Sequence, residues 1–206
     1  MMRPYAGKCF EKTGRPALLL IGESHYLPKR SKQHLLPERW YSGNFSTLTS
    51  KERDWISTSD IMNWARSERF SDKGHWIWKN ALWEINANGP RYKDYTRVAD
   101  DIASYNFFLR PGIKGESLVV MSEDIEVANE AFVIHYKKLQ PSAVIFLSCL
   151  AFTHFRLPAV CTVPVIWTPH PSSKWWNRVA VKYGNRRGRD ILAHFIRTLD
   201  WHRNAL

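Results

Sequence analysis

The apolar run at residues 17–21 is the sequence feature that most constrains the fold. Five consecutive apolar residues end at Gly22, and the polar stretch Glu23-Ser24-His25-Tyr26 follows directly. So short a run is typical of a strand buried on both faces of a parallel sheet, because a free-standing helix needs a longer one. Open α/β sheets bind their ligands where such strands end. The stretch therefore favours a candidate site at residues 23–26, and it fits an ordinary strand-to-loop turn equally well.

Three further apolar runs predict buried strands, at residues 102–109, 143–147 and 163–168. Helical periodicity and helix-start residues lie between and after them, at residues 60–66, 76–85, 122–139, 149–155 and 190–199. Residues 28–55 are rich in Pro, Ser, Gly and charge, which predicts a long excursion with one short helix near the site. Four buried strands separated by helices predict a three-layer αβα sandwich with a central four-stranded parallel sheet. We expect a single domain over residues 1–206.

Cysteine usage and hydropathy exclude several classes of protein. The three cysteines, Cys9, Cys149 and Cys161, match no metal-ligand spacing and indicate small core residues in a reducing compartment. No apolar run approaches the roughly 18 residues that cross a bilayer, and residues 1–5 lack the apolar stretch of a secretory signal. We expect a cytoplasmic monomer that needs no metal or cofactor and does not contact a membrane.

The charge balance favours a polyanionic partner. The formal net charge is +11 at pH 7, and ten tryptophans are present. Several of these rings stand beside cations, as in Lys174-Trp175-Trp176-Asn177-Arg178. Cations and flat rings together suit a phosphate backbone with unstacked bases, which indicates nucleic acid, single- or double-stranded. The alternative is a basic, soluble surface over a core that holds the tryptophans.

The order of the polar motifs resembles the uracil-DNA glycosylase superfamily. Gly22-Glu23-Ser24-His25-Tyr26 follows the first strand, Asn106 lies near the end of the second, and His170-Pro171-Ser172 follows the last. The prototype of that superfamily carries G-Q-D-P-Y, an Asn and H-P-S-P in the same order, and other branches carry G-E-A-P-G. The likeness extends from about residue 17 to residue 195. It implies a uracil-DNA glycosylase-like fold and hydrolysis of the N-glycosidic bond of uracil or of a deaminated or damaged base in DNA, as in base excision repair.

The resemblance implies a role for each matching residue. His170 would stabilise negative charge on the departing base, and its loop, with Ser172 and Ser173, would hold backbone phosphates. Asn106 would bind the edge of a flipped base through its amide. Tyr26 aligns with the ring that excludes the methyl group of thymine in the prototype. Each residue also has a plain structural alternative, such as a packed aromatic ring or a loop hydrogen bond.

The chain departs from the family pattern at the position of the water-activating aspartate, which is Ser24 here. A serine cannot act as a general base near pH 7 without help, so Glu23 is the nearest spare carboxylate. Glu23 aligns with the residue that lines the base pocket, and Asp100 and Asp101 are further candidates for activating water. His25 replaces the usual proline. Catalysis is therefore assigned to Glu23, Ser24 and His170.

The segment after the His170 motif supplies the expected nucleic-acid contacts, which are Ser172, Ser173, Lys174, Trp175, Trp176 and Arg178. Trp175 and Trp176 stand where the prototype inserts a wedge into the duplex, or else they pack beneath the last helix.

Two other functions compete with the glycosylase. Because Ser24 replaces the aspartate, the chain fits a catalytically silent nucleic-acid-binding protein that retains the fold. A hydrolase using Ser24 or Ser172 with a histidine ranks last, since no G-x-S-x-G elbow is present.

Overall fold

The computed structural model describes residues 4–10 and 15–201, and for Lys73 the backbone only. Residues 1–3, part of the segment considered above for a secretory signal, lie outside it. Within the described ranges the strands are β1 (Tyr5–Ala6), β2 (Leu18–Gly22), β3 (Tyr26–Leu27), β4 (Ile102–Asn106), β5 (Gly112–Ile113), β6 (Ala143–Phe146) and β7 (Val165–Trp167). The α-helices there are α1 (Pro37–Tyr41), α2 (Ser50–Asp54), α3 (Thr58–Ser67), α4 (Trp76–Asn88), α5 (Ser122–Leu139), α6 (Cys149–His154) and α7 (Gly188–Thr198).

A five-stranded sheet in the order β1-β4-β2-β6-β7 forms the centre of the molecule. The four predicted strands are confirmed as β2, β4, β6 and β7, and their pairings are all parallel. The expectation of four strands is wrong by one, because β1 pairs antiparallel with β4 through Tyr5 and Ala6. Two residues are too few to show an alternating pattern in the sequence. Tyr5 instead fixes this edge by donating its hydroxyl hydrogen to the Ala99 carbonyl at 2.9 Å.

Both faces of the sheet are covered by helices, so the architecture has three layers. Leu18 and Leu20 of β2 pack into a cluster with α3, α4 and α7. Leu19 and Ile21 point the other way and pack with α5 and α6. Successive side chains of a strand alternate between faces, and a strand covered on both sides is therefore apolar throughout. This explains why residues 17–21 show an unbroken apolar run.

The predicted helices are all present, as α3 to α7, with ends that differ by a few residues. Ser57 caps α3, because its hydroxyl oxygen accepts from the Asp60 amide. The last residue of α5 precedes Gln140, whose φ of 45° is left-handed and ends the helix. No helix in residues 4–10 and 15–201 combines the length and hydropathy needed to cross a bilayer.

The excursion at residues 28–55 contains more structure than the single short helix expected. It forms a 3₁₀ turn at Lys29–Ser31 followed by α1 and α2. Trp40 fastens it to the sheet, since its indole N–H donates to the Leu109 carbonyl at 2.8 Å. A reciprocal cap between Thr49 and Glu52 begins α2. The excursion is therefore an ordered wall beside the strand ends.

A buried ion pair joins this wall to the sheet and to α5. Arg110, just after β4, donates from Nε and Nη2 to the two carboxylate oxygens of Asp124 at 2.8 and 2.6 Å. Its Nη1 donates to the His34 carbonyl at 2.8 Å, and the Tyr41 hydroxyl donates to Asp124 at 2.8 Å. Both charged side chains are almost fully excluded from solvent. Such a pair is costly to break, because the remaining charge loses its partner without regaining water.

We expect the substitution Asp124→Ala to lower the free energy of unfolding by about 3–5 kcal/mol, since it leaves the Arg110 guanidinium buried and unpaired. Urea denaturation followed by circular dichroism measures the change. The matched control is Glu126→Ala on the same helix, where the partner Arg156 is exposed and a loss of at most about 0.5 kcal/mol is expected. Equal losses in the two variants would contradict a structural role for the buried pair.

Candidate functional site

Backbone hydrogen bonds continue beyond the ends of the central strands and fix the loops that follow them. The Phe107 amide donates to the Gly22 carbonyl at 3.1 Å, and the Phe108 amide donates to the Glu23 carbonyl at 2.9 Å. On the other side of β2, the Leu147 amide donates to the Ile21 carbonyl at 2.7 Å. The loops after β2, β4 and β6 are thus held against one another at the carboxyl edge of the sheet.

A cleft of about 890 Å³ lies at this edge. Six of the residues predicted for the site line it, and they come from the loops after β2, β4 and β7: Glu23, Ser24, Tyr26, Asn106, His170 and Ser172. Loops that follow parallel strands are carried to the same edge of the sheet, and here three of them contribute to one cleft. The other predicted contacts, Ser173, Lys174, Trp175, Trp176 and Arg178, do not line the cleft.

Gly22 makes room for the Asn106 side chain. The two residues are opposite each other in the β2–β4 ladder, and a Cβ atom on residue 22 would overlap Asn106 Oδ1. The Asn106 amide lines the cleft and has no hydrogen-bond partner among the described side chains and backbone groups. A nearly buried amide with both a donor and an acceptor unused is suited to a ligand that offers the complementary pair.

The His170 ring is held in one tautomer by its own loop. The Ser172 amide donates to His170 Nδ1 at 3.3 Å, and Ser172 Oγ lies 2.8 Å from the same nitrogen. A ring nitrogen that accepts from a backbone N–H carries no proton, so the neutral ring carries its proton on Nε2. Burial lowers the pKa of His170, and the nearby Glu23 carboxylate opposes that shift. The site therefore presents a neutral imidazole with Nε2–H as the available donor.

Two hydroxyl groups hold the Glu23 carboxylate in place. Tyr26 donates to Oε1 at 3.0 Å, and Ser148 donates to Oε2 at 2.6 Å. Burial, with a smaller contribution from Glu23, raises the pKa of Tyr26 to about 12, so its hydroxyl remains a donor near neutral pH. Ser148 was missed in the sequence, although it stands one residue beyond an apolar run, at the same kind of strand end as Glu23 and Asn106.

Ser24 and His25 are the buried residues of the loop after β2. The Ser24 hydroxyl forms no hydrogen bond of normal geometry with the described residues, although it lies near enough to Tyr26 to lower the pKa of that phenol slightly. His25 Nε2 lies 3.0 Å from Thr58 Oγ1 and ties the loop to α3. Burial lowers the pKa of His25 to about 4, so this ring is neutral near pH 7 and joins the loop to α3 by an uncharged hydrogen bond.

The outer wall of the cleft is formed by residues that the sequence did not indicate as part of the site. Lys51, Asp54 and Trp55 of the excursion line it, together with Trp64 of α3. The Lys51 ammonium lies 5.5 Å from the centroid of the Trp55 ring. Nothing local in residues 28–55 shows which side chains face the site, because that depends on how Trp40 and Arg110 anchor the segment.

Asp100 and Asp101 are not candidates for activating water. They precede β4, at the end of the strand opposite to Asn106. Arg66 binds both oxygens of Asp100 at 2.6 Å, and Asp101 accepts from Tyr92 and Arg15. Both carboxylates are structural partners of arginine at the far edge of the sheet.

Two of the predicted nucleic-acid contacts are withdrawn because their polar or aromatic groups are covered. The Trp176 ring is packed into the core with α4 and α7, and it cannot serve as a wedge. The Ser173 hydroxyl is buried without a partner in the described part of the chain, and the amide of that residue already donates to the His170 carbonyl. Packing of Trp176 is the alternative that the sequence left open.

Lys174 is exposed and Trp175 is half-buried, shortly after Ser172 of the cleft in the sequence. The ammonium groups of Lys174 and Lys182 lie 4.6 and 5.3 Å from the Trp175 ring centroid. Arg178 is exposed. Their contact with nucleic acid remains a prediction.

No protein-family model matches this sequence, and no curated protein is significantly similar to it. Among the described residues, no three His, Cys, Asp or Glu side chains are grouped as metal ligands.

We expect Glu23→Gln to lower the pKa of His170 further, since the substitution removes the negative charge that favours the imidazolium form. A two-dimensional NMR titration of the ring nitrogens measures this pKa, which should lie below 6.5 in the parent protein, and identifies the Nε2–H tautomer. Glu126→Gln on the exposed face of α5 is the control and should leave the titration unchanged. An Nδ1–H tautomer would contradict the geometry described for the Ser172 amide.

Proposed function

We propose that this chain hydrolyses the N-glycosidic bond of uracil, or of a deaminated or damaged base, in DNA. The observation that supports the proposal is the convergence of Glu23, Asn106 and His170 in one cleft at the carboxyl edge of the sheet. The order of motifs resembling the uracil-DNA glycosylase superfamily adds to it. A uracil-DNA glycosylase-like three-layer fold, a DNA partner and a role in base excision repair are parts of the same proposal.

In this mechanism His170 stabilises the departing base. Negative charge develops on the pyrimidine O2 as the glycosidic bond breaks. A neutral Nε2–H group can donate a hydrogen bond to O2 that strengthens as this charge grows, without transferring its proton. A donor fixed in advance, in a site from which water is partly excluded, is effective because it needs no reorganisation during the reaction. Ser172 fixes the donor by occupying Nδ1.

Asn106 selects the base. Its amide offers one donor and one acceptor at an otherwise unused position, which matches the N3–H and O4 groups at the edge of uracil. The Gly22 position allows this amide to approach the strand end. Tyr26 lines the same cleft with its ring against Gly112, and we assign to it the exclusion of an added methyl group.

Glu23 orients the attacking water. Its two oxygens already accept from Tyr26 and Ser148, and a carboxylate has about four acceptor sites, so further capacity remains. The Ser24 hydroxyl has no partner among the described residues, and in this mechanism it supplies a hydrogen bond to the water rather than acting as a base.

We expect His170→Ala to slow the release of uracil from a uracil-containing oligonucleotide by about 10²–10³-fold, the usual effect of removing one donor to a developing anion. Alkaline cleavage of the resulting abasic sites, resolved on a gel, measures the rate. The matched control is His194→Ala, an exposed histidine of α7 outside the cleft, which should retain the parent rate. No release from uracil, hypoxanthine or xanthine substrates by the parent protein would contradict the proposal.

We expect Glu23→Gln to reduce the single-turnover rate by about 10²-fold or more while leaving the affinity for the oligonucleotide within about threefold, since the carboxylate acts on water rather than on the DNA. Parallel measurement of single-turnover rate and of binding anisotropy separates the two quantities. A loss of affinity equal to the loss of rate would assign Glu23 to substrate binding instead.

The second candidate is a nucleic-acid-binding protein without turnover, which the hydroxyl at Ser24 in place of a carboxylate favours. Binding with a steep dependence on salt, unchanged by His170→Ala and accompanied by no base release, distinguishes it.

A further inference from the structure

Three tryptophans are exposed, and all three lie on the helices beside the cleft. Trp64 of α3 and Trp76 and Trp83 of α4 have exposed fractions of 54%, 41% and 49%. The other seven of the ten tryptophans are buried or half-buried. Single exposed apolar side chains are common on protein surfaces, but several large exposed rings grouped on one side indicate a binding surface. We name these three residues the tryptophan stripe.

The stripe runs from the mouth of the cleft along α4. Trp76 and Trp83 are separated by two helical turns, so they share a face and lie about 10.5 Å apart along the axis. Asn80 lies between them and donates to the Pro171 carbonyl at 2.9 Å, which places the stripe against the His170 loop. Trp64 lines the cleft and packs edge-on against His75, with ring centroids 4.6 Å apart.

The charge beside the stripe indicates the class of partner. Residues 172–189 contain six Lys or Arg and no Asp or Glu, and they connect the His170 loop to α7. Arg189 at the start of α7 places its guanidinium 5.6 Å from the Trp83 ring centroid, and Glu84 fixes it there at 2.7 Å. Alternating rings and cations suit a polyanion that carries flat, unstacked groups. An apolar protein partner would not require this excess of positive charge.

The packing of Trp175 and Trp176, which follow His170, favours single-stranded over double-stranded nucleic acid as the partner. Trp176 is in the core. Trp175 is covered by two lysine ammonium groups and packs edge-on against Tyr183, so neither ring projects as a wedge. An enzyme that acts on a base must separate it from a duplex or start from unpaired strand. Rings that do not insert into a duplex stack with bases that are already unpaired.

We propose that the tryptophan stripe binds single-stranded nucleic acid by stacking its bases and directs that strand into the cleft. The inference deepens the proposed function and rests on it for the role of the cleft, because it names unpaired strand as the form of the substrate. The binding itself is independent of base release and is measured separately.

The test uses the full chain and two fluorescent probes, a 15-nucleotide oligo-dT, which contains no uracil, and a duplex of the same length. Trp76→Ala and Trp83→Ala should each weaken oligo-dT binding about fivefold or more, as expected for the loss of one stacked base. Trp83→Phe should retain most of the affinity because it keeps a flat ring. Ile134→Ala, an exposed residue on α5 in the opposite helical layer, is the control and should bind as the parent does.

The inference would be overturned if the parent protein bound the duplex as tightly as oligo-dT or more tightly, and if the alanine variants bound oligo-dT as the parent does. Self-association seen by sedimentation velocity, abolished by the same variants while oligonucleotide binding persists, would assign the stripe to a protein interface and also overturn it. Stacking-dependent oligo-dT binding without release of uracil would uphold the stripe and reject the glycosylase. Release of uracil from a duplex at a rate that Trp76→Ala and Trp83→Ala leave unchanged would uphold the glycosylase and reject the role of the stripe.

Discussion

Gly22 lies opposite Asn106 in the parallel ladder between β2 and β4, and the positions of the cleft residues depend on this register. A shift of one residue would turn every side chain of a strand to the other face. Asn106 would then enter the core, and the Phe107 and Phe108 amides would lose the Gly22 and Glu23 carbonyls that they now bind. The alternating burial of Leu18 to Ile21 between two helical layers makes such a shift costly, so the core that stabilises the sheet also aligns the polar loops.

The central sheet was predictable because its strands are short, apolar and bounded by Gly, Pro or polar residues. The same pattern indicated the site, since parallel strands carry their loops to a common edge, and Glu23, Asn106 and His170 do meet there. The tautomer of His170 was not predictable. It depends on the direction of one backbone N–H at Ser172, which only the folded loop determines.

What the sequence missed has a common physical cause, namely contacts between segments far apart in the chain. β1 is a strand only because it pairs with β4. The position of the wall formed by Lys51 and Trp55 depends on the buried ion pair of Arg110 and Asp124. Trp175 and Trp176 are neighbours with the same chemistry, yet one packs under α7 and the other faces two lysines. Local composition cannot separate such residues, because burial is decided by the surface that packs over them.

The serine at position 24 affects the proposed reaction less than a change at His170 would. Cleavage of a glycosidic bond proceeds through an oxocarbenium-like transition state, in which positive charge on the sugar and negative charge on the leaving base develop together. Stabilising the leaving base lowers the barrier directly, with an effect of about 2.7–4 kcal/mol for one donor. Water attacks a sugar that is already strongly electrophilic, so orientation of the water matters more than removal of its proton. In the proposed reaction, the carboxylate of Glu23, which Tyr26 and Ser148 hold in place, would provide that orientation, and the neutral imidazole of His170 would stabilise the leaving base.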